Sequence, residues 1–207
     1  MITSLLVVRH GQSTWNAERR WQGQADPPLS AFGRQQAIRA AVSLGDVTHA
    51  IDAVVTSPQL RAAETAELLV QHAAPAAAVT SIVHDPDLCE RSAGEWSGLT
   101  TTEIDARYPG FLASGRRPDG FETDDSLFER VDRALRSIER RFTNQTVLAV
   151  CHGGVINTLV AMSGTSTGRL PNLSGHRVTM TGGDMNVGER FDLLDEAFRT
   201  GGDSSRV

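Results

Sequence analysis

Two histidines in this chain end aliphatic runs and are followed at once by glycine. His10 comes after Ser4-Leu5-Leu6-Val7-Val8-Arg9 and precedes Gly11; His152 comes after Thr146-Val147-Leu148-Ala149-Val150-Cys151 and precedes Gly153-Gly154. An imidazole can act as nucleophile, proton carrier or oxyanion donor at neutral pH, and glycine lets the backbone come close to a ligand. A third run, Asp52-Ala53-Val54-Val55-Thr56, ends at Ser57-Pro58 with Arg61 in the turn that follows. Arg9 and Arg61 are guanidinium groups, which grip oxyanions through a planar fork of donors. Two imidazoles, two guanidinium groups and glycine-flanked loops form a set suited to phosphate.

Each member of the set stands where a short apolar run of strand type meets a helical pattern. Residues 4 to 8 read as a buried strand, and Ser30 caps a helix over 31 to 44 with Gly45 as its stop. The pattern repeats with a strand over 52 to 56 and a helix over 59 to 72, then with a strand over 146 to 151 and an apolar helix from Val155 to about Met162. Alternating strands and helices predict an α/β fold, a three-layer sandwich with a mostly parallel central sheet and helices on both faces. In such sheets ligands bind at the carboxyl ends of the strands, so three junctions far apart in sequence are expected to converge. The stretch 99–145 lacks strand character and carries Gly110, Gly115, Pro118 and Gly120 between helical segments; it is read as a small helical cap insertion. Residues 176 to 195 alternate loosely, as strands at a sheet edge would. Residues 1–200 form one domain in this reading, and 201–207 a disordered tail.

Composition narrows the chemistry. All 20 cationic side chains are arginine, which excludes a Schiff-base lysine, a pyridoxal-phosphate anchor and a P-loop lysine. A net charge of -5 gives no broad attraction for nucleic acid or an anionic membrane. Two cysteines, Cys89 and Cys151, are too few for a disulfide scaffold, and the start of the chain has no basic n-region, so a cytoplasmic location is expected. His49, His72, His84 and His176 show no paired ligand spacing; neither a metal nor another cofactor is implied.

The joint pattern resembles the histidine phosphatase superfamily, in the branch related to phosphoglycerate mutases. The likeness rests on Val8-Arg9-His10-Gly11-Gln12-Ser13 with Asn16, then Gln22-Gly23, Pro28-Leu29-Ser30 with Gly33 and Gln36-Ala37, Ser57-Pro58 with Arg61-Ala62 and Thr65-Ala66. It continues through Glu90, Gly94-Glu95-Trp96 and Gly98 to His152-Gly153-Gly154. The resemblance implies that His10 is the nucleophile that carries the phosphoryl group. Arg9, Arg61 and His152, the last preferably as an imidazolium, would hold the nonbridging oxygens, and Glu90 would serve as proton donor. Gly11, Asn16, Gln22, Gly23 and Gly153 would complete the phosphate pocket. A phosphatase acting on a small phosphorylated metabolite is the implied activity; a monomer and a homodimer are both compatible with the sequence.

Two other readings compete. A cofactor-dependent phosphoglycerate mutase would return the phosphoryl group to another hydroxyl, but the Cys89-Glu90-Arg91-Ser92-Ala93-Gly94 context and the Gly153-Gly154 pair differ from the mutase pattern. Arg116-Arg117 lean the other way, near the place where mutases hold a substrate carboxylate. A non-catalytic phosphate-binding or regulatory module would have no need of the complete set His10, Arg9, Arg61, Glu90 and His152.

Overall fold

Alternate residues along the central strands belong to opposite cores, and that alternation fixes a three-layer arrangement. Leu5 and Val7 join one apolar cluster and Leu6 and Val8 another; Val147 and Ala149 separate in the same way from Leu148 and Val150. The computed structural model describes residues 1–48, 50–73, 81–166, 168 and 170–199. In chain order the elements are β1 (Thr3–Arg9), α1 (Thr14–Ala17), α2 (Ala31–Val47), β2 (Ala53–Thr56), α3 (Leu60–His72), β3 (Ile82–His84), α4 (Thr101–Arg107), α5 (Phe111–Ser114), α6 (Asp124–Arg141), β4 (Thr146–Cys151), α7 (Gly153–Met162), β5 (Ser174–Thr181), β6 (Asp184–Asp192) and α8 (Glu196–Arg199).

The six strands form one sheet in the order β3-β2-β4-β1-β5-β6. The first four in that order run parallel, and β5 and β6 are antiparallel at the edge, where the loose alternation of 176 to 195 placed strands. One face is covered by α2 and α3, whose small residues Ala37, Ala40, Ala41, Ala62 and Ala66 are fully buried. The other is covered by α6 and α7 through Leu127, Val131, Ala134, Leu135, Ile138, Ile156 and Leu159.

Two sequence-based expectations need correction, and one strand goes unread. Gly45 does not stop α2, which runs on to Val47, because the glycine lies on an open side of the helix and nothing forces a left-handed turn there. The 99–145 stretch is not all cap: α6 sends five apolar side chains, at i, i+4, i+7, i+8 and i+11 from Leu127, into the main core. The separate cluster instead gathers Ala93, Trp96, Leu99 and Ile104 with Trp21, Tyr108, Phe111 and Phe121. β3, three residues long, carries no periodicity from which it could be read. The expected tail, 201–207, lies outside the described residues.

Candidate active site

Register brings the junctions together. Arg9 pairs with Cys151 and Thr56 with Val150 across parallel strands, and the next backbone step continues the ladder: His10 N–H donates to Cys151 O at 3.0 Å and Ser57 N–H to Val150 O at 3.0 Å. His10, Ser57 and His152 therefore emerge side by side. The His10 and His152 rings meet edge to face with centroids 5.1 Å apart.

The hydrogen bonding of His10 fixes its tautomer. Nδ1 lies 2.6 Å from Gly11 O, and a carbonyl only accepts, so Nδ1 bears the proton and Nε2 keeps its lone pair. Burial, then the charges of Arg61 and Arg9, push the pKa of His10 well below the ordinary 6.5, which keeps the ring neutral and the lone pair available. His152 is shifted the same way by burial, Arg61, His10 and Arg9. The imidazolium expected for His152 is thus disfavoured in the protein without substrate: two guanidinium groups already supply the positive charge. His152 Nε2 sits 2.8 Å from Ser57 Oγ, and its Nδ1 is buried with no hydrogen-bond partner among the described residues.

Arg61 is fully buried on the first turn of α3. Its two terminal nitrogens donate to Ala25 O at 2.9 Å and Gly23 O at 3.0 Å, while Nε has no partner among the described residues. Desolvation brings its pKa down to about 10, so the group remains a cation at neutral pH. Arg9 donates from Nη1 to Leu170 O at 2.5 Å.

The remaining expected residues join the same network. Asn16 is buried in α1 and accepts from Ser13 N–H through its side chain, closing a capping box, while Ser13 Oγ donates to Gln22 Oε1 at 2.7 Å. Gly23 adopts a φ of +51°, and a Cβ there would lie 2.5 Å from Ala93 N, so only glycine fits. Gly11 packs against the start of α2, where a Cβ would lie 2.8 Å from Gly33 O. A Cβ on Gly153 would meet Arg9 Nε at an ordinary 3.7 Å. The Glu90 side chain is buried, its carboxylate accepting from Arg91 N–H at 2.8 Å and Gly154 N–H at 3.2 Å.

Several supporting residues escape a reading of the sequence alone. Gln59 donates to Gly23 O and Ala25 O and accepts from Glu90 N–H at 2.7 Å, tying the Arg61 carbonyls to the Glu90 segment. Thr65 accepts from Gly11 N–H at 3.0 Å, and Asn172 donates to His10 O at 2.8 Å. The Thr65-Ala66 pair belonged to the motif without a role; Gln59 and Asn172 gave no signal, since one polar residue reaching a distant backbone atom leaves no period in a sequence.

Beside Glu90 lies a cavity of about 270 Å³ lined by Glu90, Gly154, Trp21, Phe121, Arg117 and Asp124, among others. Arg117 stacks over Phe121 and Trp96, 5.1 and 5.5 Å from their ring centres. Among the described residues no group of three or more His, Cys, Asp or Glu side chains could hold a metal. No described helix is long and apolar enough to cross a membrane.

The pattern of the histidine phosphatase superfamily (branch 1) matches residues 5–187. The chain belongs to that family. It is 36% identical over 162 residues to phosphoglycerate mutase-like protein 4 of Arabidopsis thaliana, spanning 75% of this chain and 68% of the relative. It is 33% identical over 182 residues to the metal-independent phosphoserine phosphatase of the same plant, spanning 84% and 74%. The structure of Bacillus stearothermophilus YhfR superposes with a TM-score of 0.74 at 32% identity, covering 89% of this chain and 95% of that one. A superfamily whose relatives are named as both phosphatases and mutases leaves the fate of the phosphoryl group to the site.

Proposed function

We propose that this histidine phosphatase superfamily member hydrolyses a small phosphomonoester through a phosphohistidine on His10. The observation that carries the reading is the His10 Nδ1 to Gly11 O bond, which leaves Nε2 as an unprotonated nucleophile in a buried, cationic setting. Nε2 attacks phosphorus in line as the bond to the leaving oxygen breaks. Glu90, protonated at that stage, gives its proton to the departing oxygen. The resulting carboxylate then takes a proton from water as that water attacks phosphorus and the P–N bond breaks, which regenerates neutral His10 and protonated Glu90.

Arg9, Arg61 and His152 stabilise the charge on the nonbridging oxygens. Arg61 Nε and His152 Nδ1, which have no hydrogen-bond partner among the described residues, support that assignment. When Ser57 donates to His152 Nε2, the neutral ring holds its proton on Nδ1 and serves as a donor without becoming an imidazolium. Gly11, Asn16, Gln22, Gly23 and Gly153 shape the pocket floor. The leaving group occupies the cavity beside Glu90, whose volume suits a small metabolite. Residues 1–200 act as one catalytic unit in this reading, with no metal or other cofactor.

Arg117 in that cavity favours a second reading, a mutase that retains a phosphorylated sugar acid by a second anionic group. Among the described residues Arg117 forms no ion pair, so its charge is available to a carboxylate such as those of phosphoserine or phosphoglycerate. Both readings are tested by one assay with EDTA present: phosphate release from p-nitrophenyl phosphate, phosphoserine, 3-phosphoglycerate and sugar phosphates, run beside a mutase assay. Metal-free phosphate release is expected, with a preference for one ester. Transfer between positions of phosphoglycerate with little release selects the mutase instead, and silence throughout would sink both.

A further inference from the structure

The buried ion pair Arg130–Glu122 lies outside the phosphate pocket. Arg130 Nε and Nη2 donate to the two Glu122 carboxylate oxygens at 2.7 and 2.8 Å, a bidentate fork with both side chains about nine-tenths buried. Apart from the Ser126 hydroxyl, which donates to Glu122 Oε1 at 3.3 Å, the remaining bonds of the two side chains reach beyond α6. Arg130 Nη1 also donates to Asp87 O at 2.9 Å and to Cys89 O at 2.5 Å, the carbonyl immediately before Glu90. Glu122 accepts from Ser92 N–H at 3.1 Å, and its own N–H donates to Ser92 O at 3.1 Å, two residues after Glu90. The pair therefore holds the Glu90 segment from both sides, while Gln59 fixes Glu90 N–H from a third direction.

Desolvation raises the pKa of the Glu122 carboxyl, but the hydrogen bonds and charge of Arg130, with Ser92 N–H and the Ser126 hydroxyl, outweigh it and leave it below its ordinary value. Burying an ion pair is a poor route to stability, since an apolar pair of similar volume often does as well. What an apolar pair cannot supply is the set of directional contacts to the Cys89 carbonyl and the Ser92 amide.

We infer that Arg130 and Glu122 are positioning residues that aim the Glu90 carboxyl at the leaving oxygen. The inference rests on the phosphatase reading above and adds how its proton donor is held. It makes a demand that a brace of fold stability alone would not make: loosening the pair should impair only departures that need a proton. An alkyl phosphate releases a strongly basic alkoxide and depends on Glu90, whereas p-nitrophenyl phosphate releases a stabilised phenolate and does not.

The test compares kcat/KM, which reports steps up to phosphoryl transfer to His10, for p-nitrophenyl phosphate and for the best alkyl ester, in wild type, Arg130→Lys and Glu122→Gln. Melting curves verify that each variant folds, and Glu122→Gln carries the test if Arg130→Lys does not. The expected result is a fall of about 10- to 100-fold for the alkyl ester with less than about a 3-fold change for the aryl ester. In a Glu90→Gln background, Arg130→Lys should cost less than about 2-fold more, because its route of action is gone. Equal losses on both esters, no loss on either, or an undiminished loss in the Glu90→Gln background overturns the inference while an active wild type preserves the phosphatase reading. A wild type inactive on every ester fails that reading itself, and the positioning role with it.

Discussion

Gly154 and Glu90 approach so closely that a Cβ on Gly154 would sit 2.3 Å from Glu90 Oε1. The glycine is there because the carboxylate and the backbone at the start of α7 share one space, with Gly154 N–H donating to Glu90 Oε2. Gly154→Ala must push the carboxylate aside. Displacing a reacting group by about 1 Å can cost about 10²-fold in rate, so a loss of that order in kcat/KM on alkyl esters is expected. Gly153→Ala, whose Cβ meets Arg9 at an ordinary distance, is the control and should lose less than about 10-fold. Steady-state kinetics on the two variants checks the contrast, and equal losses would break the link between Gly154 and Glu90.

The tautomer of His10 makes a covalent prediction. With Nδ1–H committed to Gly11 O, the phosphoryl group must be carried on Nε2. Acid quenching during turnover should trap a phosphohistidine, and phosphorus NMR of the denatured phosphoenzyme should show the Nε2 isomer. His10→Ala should lower kcat by about 10⁴ or more, as removal of a nucleophile does elsewhere. Phosphate trapped on the Nδ1 isomer, or appreciable turnover by His10→Ala, would contradict the mechanism.

Acid should destabilise the substrate-free protein through the same histidines. His10 and His152 both have folded pKa values lowered from 6.5, mainly by burial, with Arg61 the first charge adding to each shift. Above that value both are neutral whether folded or not, and the preference contributes its full stability. As pH falls below it, the unfolded chain takes up protons that the folded protein refuses, so stability declines until the folded values are reached. The melting temperature should therefore drop between about pH 7 and 5, and His10→Asn should flatten part of that slope. Identical slopes in the two proteins would show that His10 is not held neutral by the fold.

The convergence of His10, Ser57 and His152 was legible because it follows from strand periodicity and the rule for parallel sheets; the register of Arg9 with Cys151 and Thr56 with Val150 bears this out. The apolar stripe of α6 was also written in the sequence, but ten charged residues among its eighteen and glycine-rich neighbours on its N-terminal side masked it as cap. The charge state of His152 could not be read, since it depends on how deeply the ring and two guanidinium groups are buried together. The contacts of Gln59, Asn172 and the Arg130–Glu122 pair were likewise hidden: each is a single side chain meeting backbone that only the finished fold brings near.

Arg61 couples the proposed phosphate pocket to the loop that carries Gly23 and Ala25, and that double duty separates its two replacements from each other. Lysine keeps the charge but offers one nitrogen where arginine places two, against Gly23 O and Ala25 O, and it has no counterpart of Nε, which has no partner among the described residues. Arg61→Lys should lose one of the two bonds to carbonyls that Gln59 also reaches, at about 0.5–1.5 kcal/mol in stability, and reduce kcat by about 10²–10³ through the lost Nε–H donor to the nonbridging oxygens. Arg61→Gln should lose similar stability but also the local charge that acts on both histidines. Its His10 and His152 pKa values should therefore move up toward the ordinary range, which NMR titration of the imidazole C–H resonances would follow. A lysine variant with unchanged stability would show that the Gly23 and Ala25 carbonyls do not depend on the guanidinium, and a glutamine variant with unmoved histidine titrations would remove Arg61 from the control of the nucleophile.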